Sequence, residues 1–337
     1  VFDTYRFLRP LLFALPPEAA HATTLAALQF AHGLRFVAAS PSKEPSASVT
    51  LMGLRFPNRL GIAAGLDKNG TCIDALGALG VGFIEVGTVT PLPQLGNAKP
   101  RLFRLLDDRA LINRMGFPND GIKTVSERLR RRRYPGVCGV NIGKNASTPL
   151  ADSINDYVLC LTGAYAHADY IAINISSPNT SELRRLQHGE LLEKLLSALV
   201  ESRSKLEVTF GRRVPLLVKL TTDLEHDELS AAAKAAVACG FDGIIATNTT
   251  LCREGLRSAN AQEEGGLSGA PLFARAAHAV ACIREAVGAS IPIIGVGGIE
   301  KADDAIAMRR AGADLVQIYT GLIYRGPALV GEVLESL

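Results

Sequence analysis

Tyr170-Ile171-Ala172-Ile173-Asn174-Ile175-Ser176-Ser177-Pro178-Asn179-Thr180 alternates in chemistry, with Ile171, Ile173 and Ile175 on one side of an extended chain and Ala172, Asn174 and Ser176 on the other. A period of two means a strand, apolar on one face and small and polar on the other. Pro178 has no N–H to offer a ladder, so the strand stops before it and Ser177 and Asn179 fall on the loop at its C-terminal end. An inward Asn costs free energy unless its amide finds partners, and a hydroxyl just beyond it serves as a proton acceptor only if something activates it. Both are the marks of a site and not of a packed core.

Outward from this strand, the same rhythm repeats along the chain. Strand patterns fall at Leu60–Gly65, Phe83–Thr88, Val137–Ile142, Leu216–Leu220, Gly243–Thr247, Pro292–Val296 and Leu315–Tyr319, and helix-period segments follow each of them. Eight βα units and a chain ending on a helix predict a closed (β/α)8 TIM barrel, with an open doubly wound sheet as the alternative. In such a barrel the chemistry sits at the C-terminal ends of the strands. Two connections there are long, Thr88 to Asn119 and Ser177 to Gly189, and both overhang that face.

Residues 1–45 differ from the barrel, residues 46–337. Phe2, Tyr5, Phe7, Leu8, Leu11, Leu12 and Phe13 surround Arg6 and Arg9, and Pro16-Pro17-Glu18 opens a second helix reaching about Phe36. Two short amphipathic helices of this kind either lie in a membrane interface or pack on the main body. A serine- and proline-rich linker, residues 40–48, and a small hairpin at Val49–Pro57 come next.

Composition closes off other classes. With 337 residues, 47% hydrophobic and 20% charged, the chain is globular, and a net charge of +3 gives no case for nucleic acid. The basic run from Arg128 to Arg133 reads as a solvated helix end. Six cysteines are scattered without a Cys-x-x-Cys pair, so no disulfide framework and no metal site is expected, and a reducing cytosol fits. No run reaches the roughly 18 apolar residues of a membrane span.

The remaining signals concern ligands. Asn113, Asn141 and Asn248 join Asn174 as neutral amides at or beyond strand ends, a lining suited to a flat heterocycle with alternating N–H and C=O groups. Gly265-Gly266-Leu267-Ser268-Gly269, Gly297-Gly298 and Tyr319-Thr320-Gly321 follow the last three strands, where a barrel builds its phosphate site. Lys68, after Ala63-Ala64-Gly65-Leu66-Asp67, and Lys219, on the face of Leu217, place two cations at the mouth. Two such lysines suit either a flavin or a Schiff-base lyase, and composition does not choose between them.

Longer motifs do. Ala63 to Gly70, Glu85-Val86-Gly87-Thr88-Val89-Thr90-Pro91, Pro100-Arg101-Leu102-Phe103-Arg104-Leu105, Ile112-Asn113-Arg114-Met115-Gly116-Phe117, Asn174 to Thr180, Thr247-Asn248-Thr249-Thr250, Gly266-Leu267-Ser268-Gly269 and Gln317-Ile318-Tyr319-Thr320-Gly321 resemble the dihydroorotate dehydrogenases. The resemblance is to their membrane-associated, quinone-dependent class 2, which the N-terminal Arg9-Pro10-Leu11-Leu12-Phe13 and Pro17-Glu18-Ala19-Ala20-His21 also match.

The resemblance implies an FMN enzyme that oxidises (S)-dihydroorotate to orotate in pyrimidine biosynthesis, passes the electrons to a quinone, and sits peripherally on the cytoplasmic side of the cell membrane. It implies Ser177 as the base at C5 while C6 gives hydride to flavin N5; the cytosolic class carries cysteine there. It implies Lys68, Asn113, Arg114, Met115, Gly116, Phe117, Asn174, Asn179, Asn248 and Thr249 around the substrate, with Lys68 on its carboxylate. For the flavin it implies Ala64, Gly65, Lys68, Thr88, Asn141, Asn174, Lys219, Thr247, Gly269, Gly298, Tyr319 and Thr320, and for the quinone His21, Arg104 and Tyr319. One departure stands in the loop after Ser177: related chains tend to continue Asn-Thr with Pro-Gly, and this one has Ser181-Glu182. That removes a rigid turn from the loop.

Overall fold

A computed structural model describes residues 5–36 and 48–337. The expected linker, and with it the boundary between residues 45 and 46, falls outside the described residues except at Ser48.

Strand patterns close on themselves. In chain order the strands are β1 (Val49–Leu51), β2 (Leu54–Phe56), β3 (Leu60–Ile62), β4 (Phe83–Val89), β5 (Leu102–Leu105), β6 (Ala110–Asn113), β7 (Val137–Ile142), β8 (Tyr170–Asn174), β9 (Leu216–Leu220), β10 (Gly243–Ala246), β11 (Gly266–Gly269), β12 (Ile293–Val296) and β13 (Leu315–Ile318). Eight of them, β3, β4, β7, β8, β9, β10, β12 and β13, form a closed barrel in that order around its circumference, with β13 returning to β3. The barrel pairings are all parallel. Closure excludes the open doubly wound sheet.

Alternation sorts the core into two parts. Ile171, Ile173 and Ile175 join the layer between strands and helices, while Tyr170, Ala172 and Leu217 join the cluster inside the barrel. Each fully buried Ile contributes on the order of 1.5–3 kcal/mol of apolar transfer, which ties the register of β8 to its sequence. The hairpin β1–β2 plugs the N-terminal end, where Phe56 meets the Phe83 ring edge-on at 5.4 Å.

The helices are α1 (Tyr5–Ala14), α2 (Pro17–Gly33), α3 (Ile73–Gly77), α4 (Gly121–Arg130), α5 (Ser153–Ala164), α6 (Gly189–Phe210), α7 (His226–Ala238), α8 (Phe273–Val287), α9 (Ala302–Arg310), α10 (Thr320–Arg325) and α11 (Ala328–Leu334). Two elements depart from expectation. The connection from Thr88 to Asn119 is not a plain loop: β5 and β6 form a hairpin in it, and β11 adds an antiparallel third strand through pairs such as Asn113 with Gly266. The segment after Tyr319, expected as loop, winds into α10.

The N-terminal pair is docked on this body. Glu18 of α2 meets the Arg101 guanidinium at 3.0 Å, and Arg101 also donates to the carbonyls of Leu95 and Asn97 at 2.6 and 2.8 Å. Phe7, Leu11, Phe30 and Phe36 stay exposed, Phe36 at 81%. None of the described helices is long and apolar enough to cross a membrane.

Candidate active site

Strand register brings the interior polar groups to one level. Asn174 pairs across the ladder with Lys219, and Lys219 with Ile245. Inward positions at the C-terminal ends of β8 and β9 therefore face the same space, a cavity of about 970 Å³.

Ser177, Lys68, Asn113, Met115, Gly116, Phe117, Asn174, Asn179, Asn248 and Thr249 line it, as do Ala64, Gly65, Thr88, Lys219, Thr247, Gly269, Gly298, Tyr319 and Thr320. The structure thus gathers residues from nearly the whole length of the barrel. Two expected contact residues stand elsewhere. Asn141 is wholly buried behind the lining, holding Thr88 Oγ1 at 2.5 Å and donating to Glu85 at 2.8 Å. The Arg114 side chain is drawn off by Glu263 at 2.7 Å and covers the Phe103 ring, so it does not line the cavity.

Neutral amides hold one another in place. Asn248 donates to Asn174 Oδ1 at 3.1 Å and to Ser176 Oγ at 3.0 Å; Asn174 donates to Thr88 Oγ1 at 2.9 Å; Asn179 donates to Asn113 Oδ1 at 3.0 Å. A network satisfied in this way is rigid, which fixes the donor and acceptor pattern shown to a ligand. Ser177 is 5% exposed, and its Oγ accepts the backbone N–H of Asn179 at 3.2 Å. That bond orients the oxygen from the loop side.

Charge lies behind one wall. Glu85 is fully buried; Tyr170 Oη and Gln317 Nε2 donate to it at 3.0 and 2.9 Å, and Lys219 Nζ lies 3.6 Å away. With the Asn141 amide these make four partners for a buried carboxyl group that would be costly without them. The sequence reading gave Glu85 no role, although an acid amid Phe83, Ile84 and Val86 was a visible signal.

On the opposite side Lys68 donates to the Gly65 carbonyl at 2.7 Å, and burial brings its ammonium down to about 8, partly offset by the Glu18 and Asp67 carboxylates. Burial, together with the Lys68 charge, pushes the His21 imidazole down to about 3. His21 is therefore neutral near neutrality.

A glycine cradle closes the far end. Gly269, at φ +102°, has no room for a side chain, since a Cβ there would lie 2.4 Å from the Arg109 carbonyl. Gly298, at φ +71°, would meet the backbone nitrogen of Phe273 at 2.6 Å. Ser268 and Thr320 hydroxyls join at 2.8 Å between them. Only bare backbone fits here, the form in which N–H groups can approach an anion.

A second, narrower cavity of about 150 Å³ runs from α1 and α2 and is lined by Leu12, Phe13, Leu28 and Arg104 among others. His21 and Tyr319 line both cavities. Arg104 is expected to offer its N–H groups there, yet it spends three of them on the carbonyls of Leu12, Phe13 and Leu15 at the end of α1.

The loop after Ser177 is tied down by a residue the sequence reading passed over. Arg184 donates to the Ser176 carbonyl at 3.2 Å and to Asp223 at 2.9 Å, linking the loop to the end of β9. Glu182, in the Ser181-Glu182 step of this loop, takes a left-handed conformation, φ +55°.

A closed parallel barrel whose C-terminal mouth holds a rigid amide ring, a buried hydroxyl, a lysine on each side and a glycine cradle is the framework of an enzyme for a small polar heterocycle. The dihydroorotate dehydrogenase family model matches residues 46–337, and the chain belongs to that family. The dihydroorotate dehydrogenase (quinone) of Chromobacterium violaceum is 51% identical over 333 residues, covering 98% of this chain and 97% of its own. That of Methylibium petroleiphilum is 52% identical over 337 residues, covering 99% and 98%. Among solved structures, the ferulenol complex of DHODH from Eimeria tenella superposes with a TM-score of 0.88 at 38% identity, covering 97% of this chain and 93% of that one.

Proposed function

We propose that this chain oxidises (S)-dihydroorotate to orotate in pyrimidine biosynthesis and delivers the electrons to a membrane quinone. The observation that carries this reading is the pair of cavities meeting at His21 and Tyr319: a chamber in the barrel mouth lined by amides, hydroxyls, Lys68 and Lys219, and an apolar passage leading to the N-terminal helices.

The chamber fits FMN. Gly269, Gly298 and Thr320 suit its phosphate, Ala64, Gly65 and Thr88 its ring edge, and Lys219 the side on which negative charge develops when the ring is reduced. When bound, FMN supplies the hydride acceptor and the relay to the quinone.

The chain's own residues do the rest. Asn113, Asn174, Asn179 and Asn248 present alternating donors and acceptors to the pyrimidine, and Lys68 meets its carboxylate. Ser177 removes the C5 proton. Its hydroxyl is a weak base near neutrality, so the proton must move on. Thr180, three residues further, keeps a buried hydroxyl with no protein hydrogen-bond partner, a suitable next station. The tethered loop after Ser177 and the β5–β6–β11 sheet would limit the access of bulk water to the reacting atoms.

Residues 1–45 serve as the membrane-facing unit and 46–337 as the catalytic one. The exposed Phe7, Leu11, Phe30 and Phe36 insert into the cytoplasmic leaflet as a peripheral anchor. The deciding experiment is the visible spectrum of purified protein. A yellow chromophore that bleaches with dihydroorotate and recovers with quinone supports the reading, and a colourless protein refutes it.

A further inference from the structure

The outer wall of the barrel carries a cluster that the proposed reaction does not use. Cys282 and His278 are four residues apart on α8 and so share one helix face, and His226 is the first residue of the adjacent α7. His226 Nδ1 lies 3.2 Å from Cys282 Sγ, and His278 Nε2 lies 3.4 Å from the same sulfur. The three candidate ligand atoms all fall within 4.8 Å of one another.

The two sulfur–nitrogen separations match a coordination sphere. With zinc–sulfur and zinc–nitrogen bonds near 2.3 and 2.0–2.1 Å, the sulfur–nitrogen edge of a tetrahedron is about 3.5 Å. With the thiol donating to one imidazole and accepting from the other, the cluster without a cation can be hydrogen-bonded, and loss of the thiol proton would turn the same three atoms into ligands. The sulfur is buried while both histidines are exposed, so a cation would enter from solvent and displace the thiol proton to it. Scattered cysteines gave no such signal in the sequence, since two ligands sit on one helix and the third comes from another.

We propose that His226, His278 and Cys282 form a three-ligand site for a borderline-soft divalent cation of the zinc type, with water as the fourth ligand. The ion braces α7 against α8. It does so three residues from Asp223, which receives Arg184 of the loop after Ser177.

The test uses the full-length, flavin-loaded enzyme, stripped with a chelator, freed of it and titrated with Co²⁺. One equivalent should bind and give the intense ligand-field bands of four-coordinate cobalt, to the red of flavin absorption, and Zn²⁺ should remove them. Zn²⁺ should also raise the Tm. His278→Ala, an exposed change, should abolish the bands while dihydroorotate still bleaches the flavin at the parent rate; Cys282→Ser should abolish them too. Should Cys282→Ser not fold, His226→Ala takes its place, with the same loss expected. Only the weak bands of six-coordinate cobalt in the parent protein, or four-coordinate bands that persist in His278→Ala, would overturn the proposal.

Discussion

Lys219, in the lining of the cavity, faces Glu85 behind it at 3.6 Å, the glutamate fully buried and the lysine side chain 7% exposed. Removing Lys219 leaves Glu85 hydrogen-bonded but without its cation. Lys219→Ala should lower unfolding stability by about 3–5 kcal/mol and release FMN. Adding Glu85→Gln should restore most of the stability and none of the flavin retention. Denaturant unfolding beside flavin absorbance separates the two effects, and a single mutant with the parent's stability and flavin content would make the pair incidental.

Ser177→Ala should bind FMN and orotate as the parent does but reduce its flavin on the order of 10²–10⁴-fold more slowly, because only proton removal is lost. Rapid mixing with dihydroorotate measures this. Reduction within a few-fold of the parent assigns the base to another group.

Lys68 should give orotate binding a pH dependence. Its ammonium, brought down to about 8 by burial, is cationic below that pH and neutral above it, so the dissociation constant should rise as pH passes through 8. Titration of orotate against Lys68→Met, which should bind weakly at every pH, isolates this lysine from any ionisation of the ligand. Parallel pH profiles for the two proteins would remove Lys68 from the carboxylate contact.

Glu182→Gly should stabilise the chain slightly. A left-handed non-glycine residue costs roughly 1–2 kcal/mol, whereas the exposed Glu182–Arg185 pair it would lose is worth about 0–1 kcal/mol. Calorimetry should show a Tm higher by a degree or two; a fall would mean the ion pair outweighs the backbone strain.

A chain lacking residues 1–45 should still bleach with dihydroorotate but should lose reoxidation by long-chain quinone and attachment to lipid vesicles. Full turnover with long-chain quinone in the truncated protein would reduce α1 and α2 to an appendage.

Local pattern carried the barrel. Val137–Ile142 and Leu216–Leu220 fall where the alternation places them, and the other barrel strands begin within a residue of expectation and end within about three, because each must keep one face toward the helices. What stayed hidden depends on partners remote in sequence. The sheet of β5, β6 and β11 exists only once Ala110–Asn113 meets Gly266–Gly269, and neither segment alternates strongly enough to announce it. Positions of amides were legible as residue types, but their mutual hydrogen bonds were not. Arg114 and Arg104 show the converse: a motif fixes identity, while a nearby carboxylate or helix end decides where a long side chain goes.

The shared wall at His21 and Tyr319 has a consequence for traffic. One reactant is a water-soluble anion and the other dissolves in fat, and the barrel chamber and the passage from α1 and α2 would give them separate ways in. Neither has to leave for the other to arrive. Orotate should therefore compete with dihydroorotate alone, and crowding of the lipid phase by unreactive quinone analogues should slow only the second half of the cycle. An enzyme so arranged works as a junction between two solvents, with its neutral imidazole standing at the border.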